Sequence, residues 1–360
     1  MRVAVDAMGG DLGPPAVIDG ASAFLKEDGE TQLVLVGREE ALAPLLESHG
    51  IASDPRISIH NATQVIEMGE KLTAVRQKRD ASVTRAVELL RDGGADALVA
   101  VGNTMAAVAV STLRLRLLEG VGRPGIAIPM PTLIGDEPPY TKSNTVMIDM
   151  GANTAAKPEH LIAYAVMASV YSEEVLHKTN PSVGLLNVGE EIGKGDDFVR
   201  EVYQRLADAP VKFIGNVEGG DIYRGKCDII VCDGMVGNSV LKASEAAAEM
   251  VVKLLKESLA RTFRRKLGAA LCMSAFKELK QSIDYAEFGG APLLGVKGIV
   301  IIGHGRSDAR AFANAFKVAR DAAIHSTTDK IRDRLKATDL SAHSAGDASS
   351  SATAADRAAG

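Results

Sequence analysis

With 360 residues, 46% of them apolar and 24% charged, the chain has the composition of an ordinary globular protein and not of a fibrous or disordered one. A net charge of −5, no tryptophan and few aromatic residues speak against general nucleic-acid binding. Three cysteines (Cys227, Cys232, Cys272), with no CxxC pair and no histidine at zinc spacing, give neither a disulfide framework nor a metal site. No apolar run is long enough to span a bilayer and MRVAVDAMGG is not a secretory signal, so a cytoplasmic protein is expected.

In chain order, Arg2–Asp6 reads as a strand, followed by the loop Met8–Gly13 and by prolines placed for a helix start. Leu33–Gly37 and Ile57–Ala62 read as two further strands, with a helix between them through Leu46. Met68–Asp80 is polar and basic, a loop or an exposed helix start, and Ser82–Leu90 is helical. ALVAVGNTMAAVAV runs a strand through Gly102, Asn103 and Thr104 into a helix. Gly120–Asn144 is punctuated by Gly and Pro and predicts a subdomain edge or a hairpin. VMIDMGANTAAKPEHL passes through Gly151, Ala152 and Asn153 into a long helix, His160–His177. VGLLNVGEEIGKGDDF holds Lys194 between two glycines, and Phe213–Gly215 is a short strand.

Asp228–Asp233 carries an unbroken apolar run, a short buried strand that leads through Gly234, Gly237 and Asn238 into a helix reaching about Lys266. By default Asn238 reads as the N-cap of that helix. A break at Leu267–Gly268 and a second helix over Ala269–Asp284 complete a helical hairpin at about 255–285. GIVIIGHGRSDARAF gives the last unit, through Gly303, His304 and Gly305. Residues 1–338 form one α/β domain, and 339–360 (small, polar, without bulky apolar residues) a disordered tail.

Six strand–loop–helix units point backbone N–H groups and helix N-termini at their loops, and in a parallel sheet such loops share one crevice suited to an anion, above all phosphate. Standard nucleophile chemistry is missing: there is no P-loop and no GxSxG elbow, and His49…Asp54 matches an acyltransferase spacing only by chance, in a polar linker. What remains are Asn, Lys, His and backbone amides, which bind and polarise.

DAMGGD, GNT, GAN with KPEH, VGLLNVGEE with Lys194-Gly195, GNVEG with Asp221-Ile222, VCDGMVGN and GGAPLLG occur here in order. Together they resemble the bacterial phosphate acyltransferases of phospholipid synthesis, acyl-[acyl-carrier-protein]:phosphate acyltransferases, from Met1 to about Ala323. The resemblance implies a three-layer αβα fold with a mostly parallel sheet, of the isocitrate/isopropylmalate-dehydrogenase type, working as a homodimer at the inner face of the cell membrane. It implies acyl carrier protein and inorganic phosphate as partners, with a membrane glycerol-3-phosphate acyltransferase downstream, and neither cofactor nor metal. Lys194 and Asn238 match the catalytic lysine and asparagine. Substrate or phosphate binding is expected of Gly9, Gly10, Asp11, Gly102, Asn103, Thr104, Asn153, Lys157, Asp233, Gly234, Gly237 and His304. The chain departs from the family pattern at Leu12, Met105, Ala155 and Gly220, which bears on acyl-chain preference.

In such a reaction phosphate is itself the nucleophile. The catalyst holds it near the thioester carbonyl and stabilises the oxyanion. Carrier protein and membrane are both anionic, and Arg264, Arg265 and Lys266 beside the apolar residues Leu267, Leu271 and Met273 offer an acidic protein a contact for either. An acyl-CoA-dependent phosphotransacylase, a dehydrogenase of the same fold and a non-catalytic carrier-protein scaffold are the rival readings.

Overall fold

The computed structural model describes residues 1–135, 141–283, 289–305 and 307–338, and the tail expected at 339–360 lies outside the described residues. The first half runs β1 (Arg2–Asp6), α1 (Gly13–Glu27), β2 (Gln32–Gly37), α2 (Glu39–Ser48), β3 (Ile57–Asn61), α3 (Ala74–Gln77), α4 (Ser82–Arg91), β4 (Ala97–Val101) and α5 (Thr104–Leu115). A hairpin of β5 (Gly125–Ile134) and β6 (Thr141–Ile148) opens the second half. There follow α6 (Pro158–Glu174), β7 (Ser182–Leu186), α7 (Asp197–Ala207), β8 (Lys212–Val217), α8 (Asp221–Arg224), β9 (Ile229–Val231) and the 27-residue α9 (Gly234–Ala260). After α10 (Phe263–Leu271) and α11 (Met273–Ile283), the chain returns through β10 (Ala291–Leu294), β11 (Ile299–Gly303), α12 (Ala309–Ile324) and α13 (Thr327–Ala337).

All strands join one 11-stranded sheet in the order β3-β2-β1-β4-β11-β10-β5-β6-β9-β7-β8. Side chains alternate across it as strand geometry requires. In β4, Ala97, Val99 and Val101 face α1 and α12, while Leu98 and Ala100 face α4 and α5. In β6 and β9, Val146, Ile148, Ile229 and Val231 face α6, while Met147 and Ile230 face the opposite layer. Helices thus cover both faces, giving three layers. The stretch from His160 to Ser172 of α6 is buried all round, because α7 and α13 cover the side of the helix that the sheet does not.

One feature of the sheet was not legible in the units. β1, β4 and β11 are parallel, but β11–β10, β10–β5 and β5–β6 are all antiparallel, so β6, β9, β7 and β8 run opposite to the first half. All six strand–loop–helix units form. Their loops fall into two groups at opposite ends of the strands, after β1, β4 and β11 and after β6, β7 and β9.

The helical hairpin differs from its expected form in a similar way. The helix from Gly234 ends at Ala260, where Thr262 turns extended and its Oγ1 caps α10 by accepting from Arg265 N at 3.3 Å. Leu267 and Gly268 lie inside α10, and the second break falls at Cys272. Leu267 and Leu271 therefore lie on α10 itself, and Met273 opens α11. Phe263 and Leu271 are 81% and 79% exposed, and Arg264 and Lys266 have no ion-pair partner among the described residues.

Candidate functional site

The second-half group is built around the start of α9. Asp233, not Asn238, caps this helix, its Oδ1 accepting from Met235 N (2.9 Å) and Val236 N (3.0 Å). Asn238 stands in the second turn with its side chain exposed. The first turn lies directly against the loop after β6: a Cβ on Gly237 would fall 2.0 Å from the Asp149 carbonyl oxygen, and one on Gly234 would fall 2.2 Å from the Asn153 carbonyl oxygen. Only glycine allows that approach. Asp149 is completely buried and accepts from the backbone N–H groups of Ile126, Gly151, Ala152 and Asn153. Burial pushes its carboxyl above the ordinary range, and these donors oppose the rise. The Asn153 amide also turns inward, donating to Asp149 Oδ2 (3.1 Å), Tyr164 Oη (2.9 Å) and the Pro124 carbonyl, so this side chain braces the loop. Lys157 caps α6 nearby with an exposed side chain 3.9 Å from Glu159.

Lys194 lies in the loop after β7, and β7 pairs with β9, so it emerges at the same edge as Asn238. Two asparagines hold this loop: Asn187 Nδ2 donates to the Lys194 carbonyl (3.1 Å) and the buried Asn216 to the Glu191 carbonyl (3.0 Å). Lys226 ties Glu190 to Asp221. The Lys194 ammonium itself is exposed, with no ion pair among the described residues.

The first-half group is equally close-packed. A Cβ on Gly9 would fall 1.6 Å from the Val101 carbonyl oxygen, Gly10 touches Gly102, and Asp11 N donates to the Gly305 carbonyl at 2.6 Å. Asn103 caps α5 by accepting from Ala106 N and donates to the carbonyls of Glu67, Met68 and Glu70, which leaves Thr104 exposed at the helix start. Beneath them lies the buried Asp6, accepting from Met8 N at 3.3 Å, in a small cavity shared with Asn103, Thr104 and Ile302.

α9 connects the two groups. Asn238, Lys242 and Glu245 follow one another at helical spacing along a single stripe. Glu245 meets Lys242 at 2.9 Å and His304 Nε2 at 3.9 Å, about 10 Å along the axis from Asn238. The structure therefore brings Gly151, Asn153, Lys194, Asp233, Gly234, Gly237 and Asn238 to one edge, and Gly9, Gly10, Asp11, Gly102, Asn103, Thr104 and His304 to the other. Asp149, Asp6, Lys242 and Glu245 were missed. Asp6 read as an ordinary strand end, nothing in VMIDMGAN singled out Asp149, and the other two are visible only as an i, i+4, i+7 continuation of Asn238. His49 does not pair with Asp54; its Nε2 meets Asp19 at 2.8 Å. Among the described residues no group of three His, Cys, Asp or Glu is placed to hold a metal ion.

Two outcomes follow. Asp233→Ala removes the cap of α9 and is expected to cost about 1 kcal/mol of stability, whereas Asn238→Ala leaves the urea midpoint near that of the wild type. Equal losses in urea unfolding would contradict this assignment. Asp6 gives a pH signature: burial, set against hydrogen bonds from Ser82, Met8 and Gly9, pushes its carboxyl up to about 6 from 3.8. The folded state thus holds this proton more tightly than the unfolded chain. The resulting stability is complete below about pH 3.8 and is lost as pH rises to about 6, an amount of about 3 kcal/mol. Asp6→Asn cannot ionise, so its stability relative to wild type should rise across that window and level off above it; a flat difference means that Asp6 titrates normally.

Known proteins place this architecture. Residues 1–330 match the family model described as "Fatty acid synthesis protein". The phosphate acyltransferase of Heliobacterium modesticaldum is 45% identical over 321 residues, covering 89% of this chain and 93% of that protein. That of Aquifex aeolicus is 43% identical over 319 residues, covering 89% and 92%. Among solved structures, a phosphotransacetylase from Streptococcus pyogenes superposes with a TM-score of 0.58 at 16% identity, covering 90% of this chain and 94% of that one. A branched-chain phosphotransacylase from Enterococcus faecalis gives 0.55 at 14% identity, covering 90% and 99%, and at these identities the likeness is one of fold. The chain belongs to the fatty acid synthesis protein family, among relatives named phosphate acyltransferase, and is itself an acyltransferase.

Proposed function

We propose that this acyltransferase moves a fatty acyl group from the thioester of acyl carrier protein to inorganic phosphate, giving an acyl phosphate for phosphatidic acid synthesis. The observation that supports the reading is that Lys194, in the loop after β7, and Asn238, in the second turn of α9 after the paired strand β9, emerge at the same edge of the sheet, where the described residues show no activated nucleophile. Cys232, the nearest thiol in sequence, is buried, and burial pushes its pKa well above the ordinary thiol range, so it supplies no thiolate. A phosphate oxygen then attacks the carbonyl carbon, the carbonyl becomes an oxyanion, and the C–S bond breaks with the electron pair leaving on the pantetheine sulfur. Lys194 holds the phosphate and the Asn238 amide donates to the oxyanion. The group around Gly10, Gly102, Asn103, Thr104 and His304, reached along α9, receives the rest of the donor.

The reading extends to assembly and location. Met250, Val251 and Leu254 leave an aliphatic face of α9 uncovered, which supports a homodimer. No helix among the described residues is long and apolar enough to cross a membrane. The exposed face of α10 with Arg264 and Lys266 supports reversible contact with anionic lipid at the inner face of the cell membrane, where a glycerol-3-phosphate acyltransferase would consume the product.

The decisive assay supplies acyl carrier protein thioester and phosphate and traps acyl phosphate with hydroxylamine. Product from acyl-CoA alone overturns the donor, and no product from either donor leaves a scaffold. Asn238→Ala is expected to lower kcat by about 10² to 10³. In flotation with anionic vesicles, Leu271→Glu should abolish most binding, and salt should weaken that of the wild type, each well-placed basic residue contributing roughly 1 kcal/mol. Unchanged flotation of the variant assigns α10 to the carrier protein instead.

A further inference from the structure

We propose that Asp149 is a positioning residue for the reaction, acting through Asn238; this rests on the role given to Asn238 above. Asp149 has no contact with solvent, yet both of its carboxylate oxygens are engaged, by the short loop that follows it and by the start of β5. Oδ1 accepts from Ile126 N (3.0 Å), Gly151 N (3.1 Å) and Ala152 N (2.9 Å), and Oδ2 accepts from Asn153 N (2.9 Å) and Asn153 Nδ2 (3.1 Å). A carboxylate with this many donors fixes the loop more firmly than neutral acceptors would.

What the loop touches gives the arrangement its purpose. A Cβ on Gly151 would lie 3.2 Å from Asn238 Cβ and 3.4 Å from Asn238 Oδ1, so the Gly151 backbone forms the wall against which the Asn238 side chain rests. The Asp149 carbonyl oxygen occupies the place a Cβ on Gly237 would need, so Asp149 also sets how close the first turn of α9 can come. Asp149 N donates to the Cys232 carbonyl (3.0 Å) and Cys232 N to the Ile148 carbonyl (2.8 Å), lacing the end of β6 to the end of β9 just before α9 begins. One buried carboxylate therefore fixes both the wall beside Asn238 and the helix that carries it. A purely structural knot would have no reason to converge on a solvent-exposed asparagine.

Asn in place of Asp149 keeps the shape but turns one oxygen into an N–H donor facing at least two other N–H donors, and the loop must give way there. Asp149→Asn is expected to lower kcat by about tenfold to a hundredfold while leaving KM for phosphate near its wild-type value, since Lys194 is untouched. The deciding measurement is a cycle with Asn238→Ala, each variant first shown to be folded by circular dichroism. If Asp149 works through Asn238, adding Asp149→Asn to Asn238→Ala costs less than about threefold more. The same fold-loss in both backgrounds overturns the proposal while leaving the role of Asn238 intact. Wild-type turnover in Asn238→Ala overturns both. Gly151→Ala, which places a methyl group against Asn238 and, at a φ of 120°, strains the loop that Asp149 holds, should show the same coupling; it keeps the test open if Asp149→Asn does not fold, and independent losses there count equally against the proposal.

Discussion

The antiparallel β10–β5–β6 centre of the sheet governs everything placed on it. Three successive reversals turn the second half of the chain against the first, so that the carboxyl ends of β1, β4 and β11 and those of β6, β7 and β9 lie at opposite edges. A site that used both groups would need an element long enough to connect them. α9 is that element: it starts at one edge, packs Leu241 on the sheet, and meets His304 from the other edge at Glu245. Its length follows from the topology before any role in a projecting hairpin is considered.

Close approach comes next. At each edge a loop and a helix start come so near that side chains are excluded, at Gly9 against Val101 and at Gly237 against Asp149. Such contacts bury backbone polar groups, and each needs an acceptor or donor. Asp6 and Asp149 supply the acceptors, one beneath each group. Both pay for this in desolvation, which is why both carboxyls are pushed upward. Perturbed carboxyls of this kind stand where geometry is held most tightly, and here that is next to the residues proposed to act.

The local elements were legible because apolar runs and Gly-Asn punctuation are local signals. All six units, the Gly120–Asn144 hairpin as β5–β6 and the long helix after Gly234 were readable from one stretch at a time. Strand direction was not, since Leu293 facing Ile126 and Ala291 facing Ile302 are matters of long-range pairing that no window contains. For the same reason nothing in VMIDMGAN singled out Asp149: its donors come partly from Ile126, distant in sequence. The N-cap was misplaced for a more ordinary cause. Asp233 and Asn238 are both good caps, and the apolar run before them does not say at which residue the strand gives way to the helix.

Capping also decides where charge can be bound. Six helix N-termini after six loops would suggest six anion sites. But Asp233, Asp196 and Asp308 use their own carboxylates on the first turns of α9, α7 and α12, and prolines in the first turn of α1 remove donors there. A helix start already neutralised by its own carboxylate has little left for phosphate. α5 keeps a neutral cap in Asn103, with Thr104 exposed beside it, and α6 carries the Lys157 cation. At the edge that holds Asn238, the caps of α7 and α9 have consumed the helix dipoles, so positive charge for a substrate anion must come from a side chain. Lys194, exposed on a loop fixed by Asn187 and Asn216, is the cation proposed above for that task. On that proposal, anion binding in a chain with an overall net charge of −5 rests on individual lysines more than on helix dipoles.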